Sequence, residues 1–207
     1  KTMRGRTIHA TFGPLVTPIS FDLADFLIDQ PDITAYLIRK HHLALYRVTT
    51  VGPRQWQVDD GYGTRGLVTL AEKKEGTRIY YAEGTHSRRR FPTLAGSAVV
   101  IMRISALQRP QGPPRIKSSF EVYVRLRNPV VAAGVKVVRP FLQETIVRTF
   151  SKAFLVAQKL GTLIAKDPDP IFAEILACPL LTSGQQALVR DLVAAFKREL
   201  TPSGQYP

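Results

Sequence analysis

The feature that most constrains this chain is a change of hydrophobic period near residue 128. In Phe120 to Arg127 the residues Phe120, Val122, Val124 and Leu126 share one face, and Glu121, Tyr123, Arg125 and Arg127 share the other. That is a strand with one buried and one wet face. Beyond Asn128-Pro129, a cap followed by a helix-compatible proline, apolar residues recur at helical spacing through Val131, Val135, Val138, Leu142, Ile146, Phe150, Ala153, Ala157, Leu160 and Ile164. An apolar stripe of that length must be covered by something, and a sheet with one apolar face is the natural partner.

The residues before this switch predict that sheet. Strand patterns run over Thr7–Phe12, Leu43–Val51, Gln55–Asp59, Thr64–Glu72, Thr77–Thr85, Ser97–Leu107 and Arg115–Leu126. Gly13-Pro14 and Pro18 end the first. Gly52-Pro53, Asp60-Gly61-Tyr62-Gly63 and Lys74-Glu75-Gly76 are turn sequences, and Gln108 to Pro114 is a Pro/Gly loop. Sequential antiparallel pairing in one seven-stranded sheet follows. Between the first two strands, Ser20 caps a short helix that Pro31 stops, and Asp32 caps a second short helix ending near Arg39, Lys40, His41 and His42. Pro140 predicts a kink or a junction of two helices. Asp167-Pro168-Asp169-Pro170 ends the long helix, and two further helical patterns follow at 171–178 and 184–200.

Composition narrows the classes. A chain of 207 residues with 44% hydrophobic content is long enough for a real core, and it is neither disordered nor low-complexity. One cysteine, Cys178, makes no internal disulfide, and four scattered histidines offer no zinc-ligand spacing, so no metal or cofactor is expected. No apolar run approaches the roughly 18 residues of a membrane-spanning helix. The compartment is left open between cytoplasm and periplasm, with membrane association in view. The net charge is +13, of which residues 48–127 carry +8 and residues 167–207 carry −2. Such a balance suits an anionic partner, nucleic acid or an acidic lipid surface, and equally suits a plainly solvated surface.

The order strand, two short helices, six strands and a long amphipathic helix resembles the START-like, helix-grip superfamily, also called SRPBCC, which includes lipid-transfer domains, plant allergen-type ligand binders and polyketide aromatase/cyclases. Phe120 to Pro129 (FEVYVRLRNP), the run Val130 to Lys166 and the helical pair in Ser20 to Lys40 carry the resemblance, which covers residues 6–166. It implies an α+β helix-grip fold, with the sheet curved around the long helix over residues 1–167 and a helical extension over 168–207 packing on the same domain. It also implies a cavity between sheet and helix for a lipid or other hydrophobic small molecule, against the alternative of a core that closes fully.

Strand and helix parity offers Met102, Ile104, Phe120, Val122, Val124, Phe150 and Phe154 as cavity-lining candidates, residues that would equally serve as plain core. If Ile79 points inward, Tyr81 and Glu83 do too, and a buried carboxylate is either a ligand anchor, an acid/base group or half of a structural ion pair; a face assignment shifted by one residue would undo this. The stretch Gly84 to Pro92 (GTHSRRRFP) reads as a loop whose Arg88, Arg89, Arg90 and Phe91 suit phospholipid headgroups and their interface, or a nucleic-acid phosphate and base, or solvent alone. There is no GxSxG, P-loop or HExxH, so no catalytic residue is assigned. A cyclase-like enzyme would need polar groups converging inside the cavity. A nucleic-acid-associated protein using the basic sheet face is the other alternative.

Overall fold

The structure is a computed structural model that describes residues 8–88, 91–107, 113–127 and 135–200. Seven strands form one antiparallel sheet: β1 (Ile8–Thr17), β2 (Arg47–Gly52), β3 (Gln55–Asp59), β4 (Thr64–Lys74), β5 (Thr77–Arg88), β6 (Phe91–Ala106) and β7 (Ile116–Leu126). Their order is β1-β7-β6-β5-β4-β3-β2, so each strand from β2 to β7 pairs with its sequence neighbour, and β1 closes onto β7. Among the described residues there are five helices: α1 (Phe21–Asp29), α2 (Pro31–Lys40), α3 (Val135–Lys166), α4 (Pro168–Leu176) and α5 (Ser183–Leu200). The fold is α+β with an open seven-stranded antiparallel sheet.

Three boundaries depart from the sequence reading. β1 does not end at Phe12; it crosses Gly13-Pro14 in a bulge that shifts its register against β7 between Phe12 and Leu15, and ends at Thr17. A proline is tolerated there because β1 is an edge strand, and Gly13 takes φ +97°, where an added Cβ would come 2.7 Å from the Ser118 carbonyl oxygen. Pro31 does more than stop α1, since it opens α2 at the first helical position, where its missing N–H costs nothing. α3 runs as one helix from Val135 to Lys166 through Pro140, rather than as two helices meeting there. Its expected start at Asn128-Pro129 lies outside the described residues.

The main core is helical. Leu23, Leu37 and Ile33 of α1 and α2 pack with Ile164 of α3, Ile175 of α4 and Val189 and Phe196 of α5, all nearly or completely buried. Phe172 and Phe196 meet edge to face at 5.8 Å. Glu174 on α4 pairs with Lys40 at 3.3 Å and His41 at 2.7 Å at the end of α2. α3 reaches the sheet along β1, where Phe12 stacks on Phe150 at 5.4 Å and Phe120 meets Phe154 edge to face at 4.5 Å. A smaller cluster joins Ile8, Leu94, Val124, Leu126 and Ile146.

Candidate functional site

Register divides the sheet residues between two faces, because side chains alternate and cross-strand partners point the same way. Phe12 lies against α3 and pairs with Phe120, which pairs with Met102, which pairs with Arg78. The helix-side face therefore carries Phe120, Val122 and Val124 of β7, Met102 and Ile104 of β6, and Arg78, Tyr80 and Ala82 of β5. Two rows cross its middle: Leu70–Tyr80–Val100–Val122 and Val68–Ala82–Ala98–Val124. A third row, Gly66–Gly84–Gly96, has no side chains. An added Cβ at Gly66 would lie 2.5 Å from the Glu83 carbonyl oxygen and one at Gly96 2.9 Å from that of Arg125, so neighbouring backbones approach too closely there for any side chain.

Seven of the sequence-derived cavity candidates thus lie on the helix side, in two environments. Met102, Ile104 and Val122 are buried, Val122 completely. Phe120, Val124, Phe150 and Phe154 are only partly buried, as are Val68, Ala82, Ala98 and Val100 in the rows beside them.

Tyr81 and Glu83 must be corrected. Tyr81 pairs with Val99 and Glu83 with Ser97 and Leu67, all on the face away from α3. Tyr81 donates its hydroxyl hydrogen bond to Glu83 at 2.6 Å, Arg127 forms an ion pair with the same carboxylate, and the Glu83 side chain is 42% exposed. Neither residue faces a space between sheet and helix, and Glu83 is no acid/base candidate there. The physical reason is Arg78. Its Nε bonds Asp29 at 2.9 Å, and its Nη2 bonds Asp25 at 2.6 Å and Asp29 at 2.8 Å, so the guanidinium is fully buried under α1 and sets the parity of β5 opposite to that suggested by Ile79. Lys73 reaches both carboxylates too, at 3.1 Å for Asp25. Burial alone would raise the pKa of Asp25, but hydrogen bonds and charge from Arg78 and Lys73 outweigh it and hold the carboxyl below its ordinary range. Tyr80, next on the helix-side face, is pushed well above the usual tyrosine range by burial, so its phenol stays protonated.

The stretch read as a loop at Gly84 to Pro92 is the end of the β5–β6 hairpin: β5 continues to Arg88, which pairs with Phe91. Gly84 does not break the strand because it sits in the close-packed glycine row. Arg89 and Arg90 lie outside the described residues.

The outer face holds a site that sequence reasoning missed. At the sheet end where β2 begins and β3 ends, a cleft of about 590 Å³ is lined by Arg39, Leu45, Arg47, Asp59, Gly61, Gly63, Arg65, Thr85 and Ser87. Four of these form a single cross-strand row, Arg47–Asp59–Arg65–Thr85. Asp59 accepts the Gly61 N–H at 2.8 Å and Arg65 Nε at 2.9 Å, and the backbone bond ahead of the arginine keeps its carboxyl below the usual range. The signal in the sequence was the matched spacing of Arg47, Asp59 and Arg65 from their hairpin turns, which becomes visible only once the registers are known.

These features define an α+β protein with an open antiparallel sheet, helices packed on one face and a polar cleft at the sheet end, lined by an outer-face row and by Arg39 of α2. No protein-family model matches the chain, and no curated protein matches it in sequence. In structure it is similar to a conserved protein from Geobacillus kaustophilus, with a TM-score of 0.54 and 10% identity over 75% of this chain and 95% of that one. At that identity the likeness shows the fold alone.

Proposed function

We propose that the chain has a helix-grip arrangement of the START-like kind and binds a lipid or other hydrophobic small molecule between the sheet and α3. The observation that carries this reading is the partly buried apolar rows on the helix side, Val68–Ala82–Ala98–Val124 foremost. Ala82 and Ala98 are short side chains, and the glycine row beside them favours a bend in the sheet, which in this reading is what makes room for a ligand body. Each Å² of apolar ligand surface removed from water there contributes about 25 cal/mol. The aromatic seam of Phe12, Phe120, Phe150 and Phe154 closes one edge of this space. Arg88, Arg89 and Arg90 carry the second part of the proposal: they bring the protein to an anionic membrane.

Native mass spectrometry of the purified chain, with organic extraction of whatever travels with it, tests the first part. A reproducible bound mass in the wild type, lost in Ala98→Trp, is expected. A wild type that stays at its apo mass after incubation with mixed lipids and fatty acids refutes it. For the second part, replacing Arg88, Arg89 and Arg90 by Ser is expected to weaken sedimentation with acidic vesicles, and unchanged sedimentation would reject it.

A further inference from the structure

The cleft shares no lining residue with the apolar rows of the helix side: four of its residues form the outer-face row Arg47–Asp59–Arg65–Thr85, and Arg39 reaches it from α2 at the sheet end. Its lining carries three guanidinium groups and one carboxylate, a net charge of two. The Arg47 side chain makes no hydrogen bond or salt bridge to a described residue, and the carboxylate opposite it, Asp59, is engaged by the Gly61 N–H and by Arg65. Arg39 is held in place by donating Nη1 to the Tyr46 carbonyl at 2.5 Å, which leaves its other donors available. Thr85 and Ser87 place hydroxyl groups on the same side of β5. Arginines beside hydroxyl donors match the tetrahedral oxygens of a phosphate, and two net positive charges match its dianion.

We propose that this cleft binds a phosphate monoester, with Arg47 and Arg65 gripping the phosphate and Thr85 completing its donor set. At about 590 Å³ the space exceeds what phosphate alone needs and admits the organic body attached to it. A hollow of about 270 Å³ past Thr49 and Gln57 continues the cleft along the outer face. The same chemistry is offered by a soluble phosphorylated molecule and by the headgroup of a phosphatidic-acid-like lipid.

The test uses glycerol 3-phosphate by calorimetry at low salt, and vesicles of phosphatidylcholine with and without phosphatidic acid by sedimentation. Arg47→Gln and Arg65→Gln are compared with Lys117→Gln, which removes one equal charge from the outer face of β7. Each arginine variant is expected to weaken binding about ten-fold or more, the loss of a charge-assisted hydrogen bond, while the lysine variant leaves it unchanged. Response to glycerol 3-phosphate supports a soluble ligand; response to phosphatidic acid vesicles alone, with the same arginine dependence, supports a lipid headgroup. No binding of either probe, or a loss in Lys117→Gln equal to that in the arginine variants, overturns the assignment. The Arg65 side chain is 76% exposed, so its replacement leaves the fold intact, which far-ultraviolet circular dichroism checks.

Discussion

Replacing Asp29 by Ala is the most incisive perturbation of this fold, because it takes from a buried charge one of its two carboxylate partners. Asp29 accepts hydrogen bonds from both Nε and Nη2 of Arg78, whose side chain is wholly inaccessible to solvent. Removing one partner of a buried pair typically costs about 3–5 kcal/mol. Asp25 remains 2.6 Å from Nη2, which places the expected cost at the low end, about 3 kcal/mol, or two orders of magnitude in the unfolding equilibrium. Arg78→Met is expected to cost less, about 1–2 kcal/mol, since the carboxylates it leaves behind are roughly a quarter exposed and keep Lys73. Urea denaturation monitored by circular dichroism reads both, and the double variant should be more stable than Asp29→Ala alone because it no longer buries a cation that has lost one of its two carboxylate partners. A double variant no more stable than Asp29→Ala would refute the reasoning. The pH dependence has a definite sign. Against the effect of burial, Arg78 and Lys73 hold Asp25 below the ordinary carboxylate range in the folded chain; a depressed carboxylate contributes its stability above the unfolded pKa and loses it as pH falls through the folded one. The stability gap between wild type and Arg78→Met should therefore be constant around neutrality and narrow below about pH 4.

Two further outcomes bear on the fold. Phe196→Ala, at a fully buried position on α5 in edge-to-face contact with Phe172, should cost about 3–5 kcal/mol in the same urea assay and lower the single unfolding transition as a whole; a loss under about 1 kcal/mol would mean that α5 contributes little to the core. Gly84→Ala places a Cβ on the Arg65 carbonyl oxygen in the glycine row and should destabilise by about 1–3 kcal/mol, whereas Gly184→Ala, with open space around it, should be close to neutral by thermal melting.

The architecture was readable because it rests on periodicity. Six hairpin-joined strands and a long helix are spelled out by the shift from alternation to helical spacing at Asn128, and the number of strands followed. What the reading misjudged were residues acting through neighbours distant in sequence. Gly13-Pro14 looks like a strand breaker until β1 is known to be an edge strand bulged against Ser118. Gly84 looks like a turn until Gly66 and Gly96 are set beside it. The last two helical patterns, expected as an extension packing on the same domain, supply Ile175, Val189 and Phe196 to the largest core cluster.

The same logic explains why one half of the candidate site was legible and the other was inverted. On β7 apolar and polar residues alternate without exception from Phe120 to Arg127, so parity assigned the helix-side face correctly and carried Met102 and Ile104 with it. On β5 each face mixes the two kinds, Arg78 with Tyr80 and Ala82 on one, Ile79 with Tyr81 and Glu83 on the other. A rule that sends apolar side chains inward must then choose by Ile79, and it fails because burial of a charge depends on its partner rather than on its own hydropathy. Asp25 and Asp29 make the interior favourable for Arg78, yet they sit 53 and 49 positions upstream, on a helix. Once Arg78 is inside, alternation forces Glu83 out, where Arg127 and Tyr81 meet it. The arginine row of the outer cleft was invisible for a related reason: Arg47, Asp59 and Arg65 belong to three strands, and only the registers of two successive hairpins bring them into line.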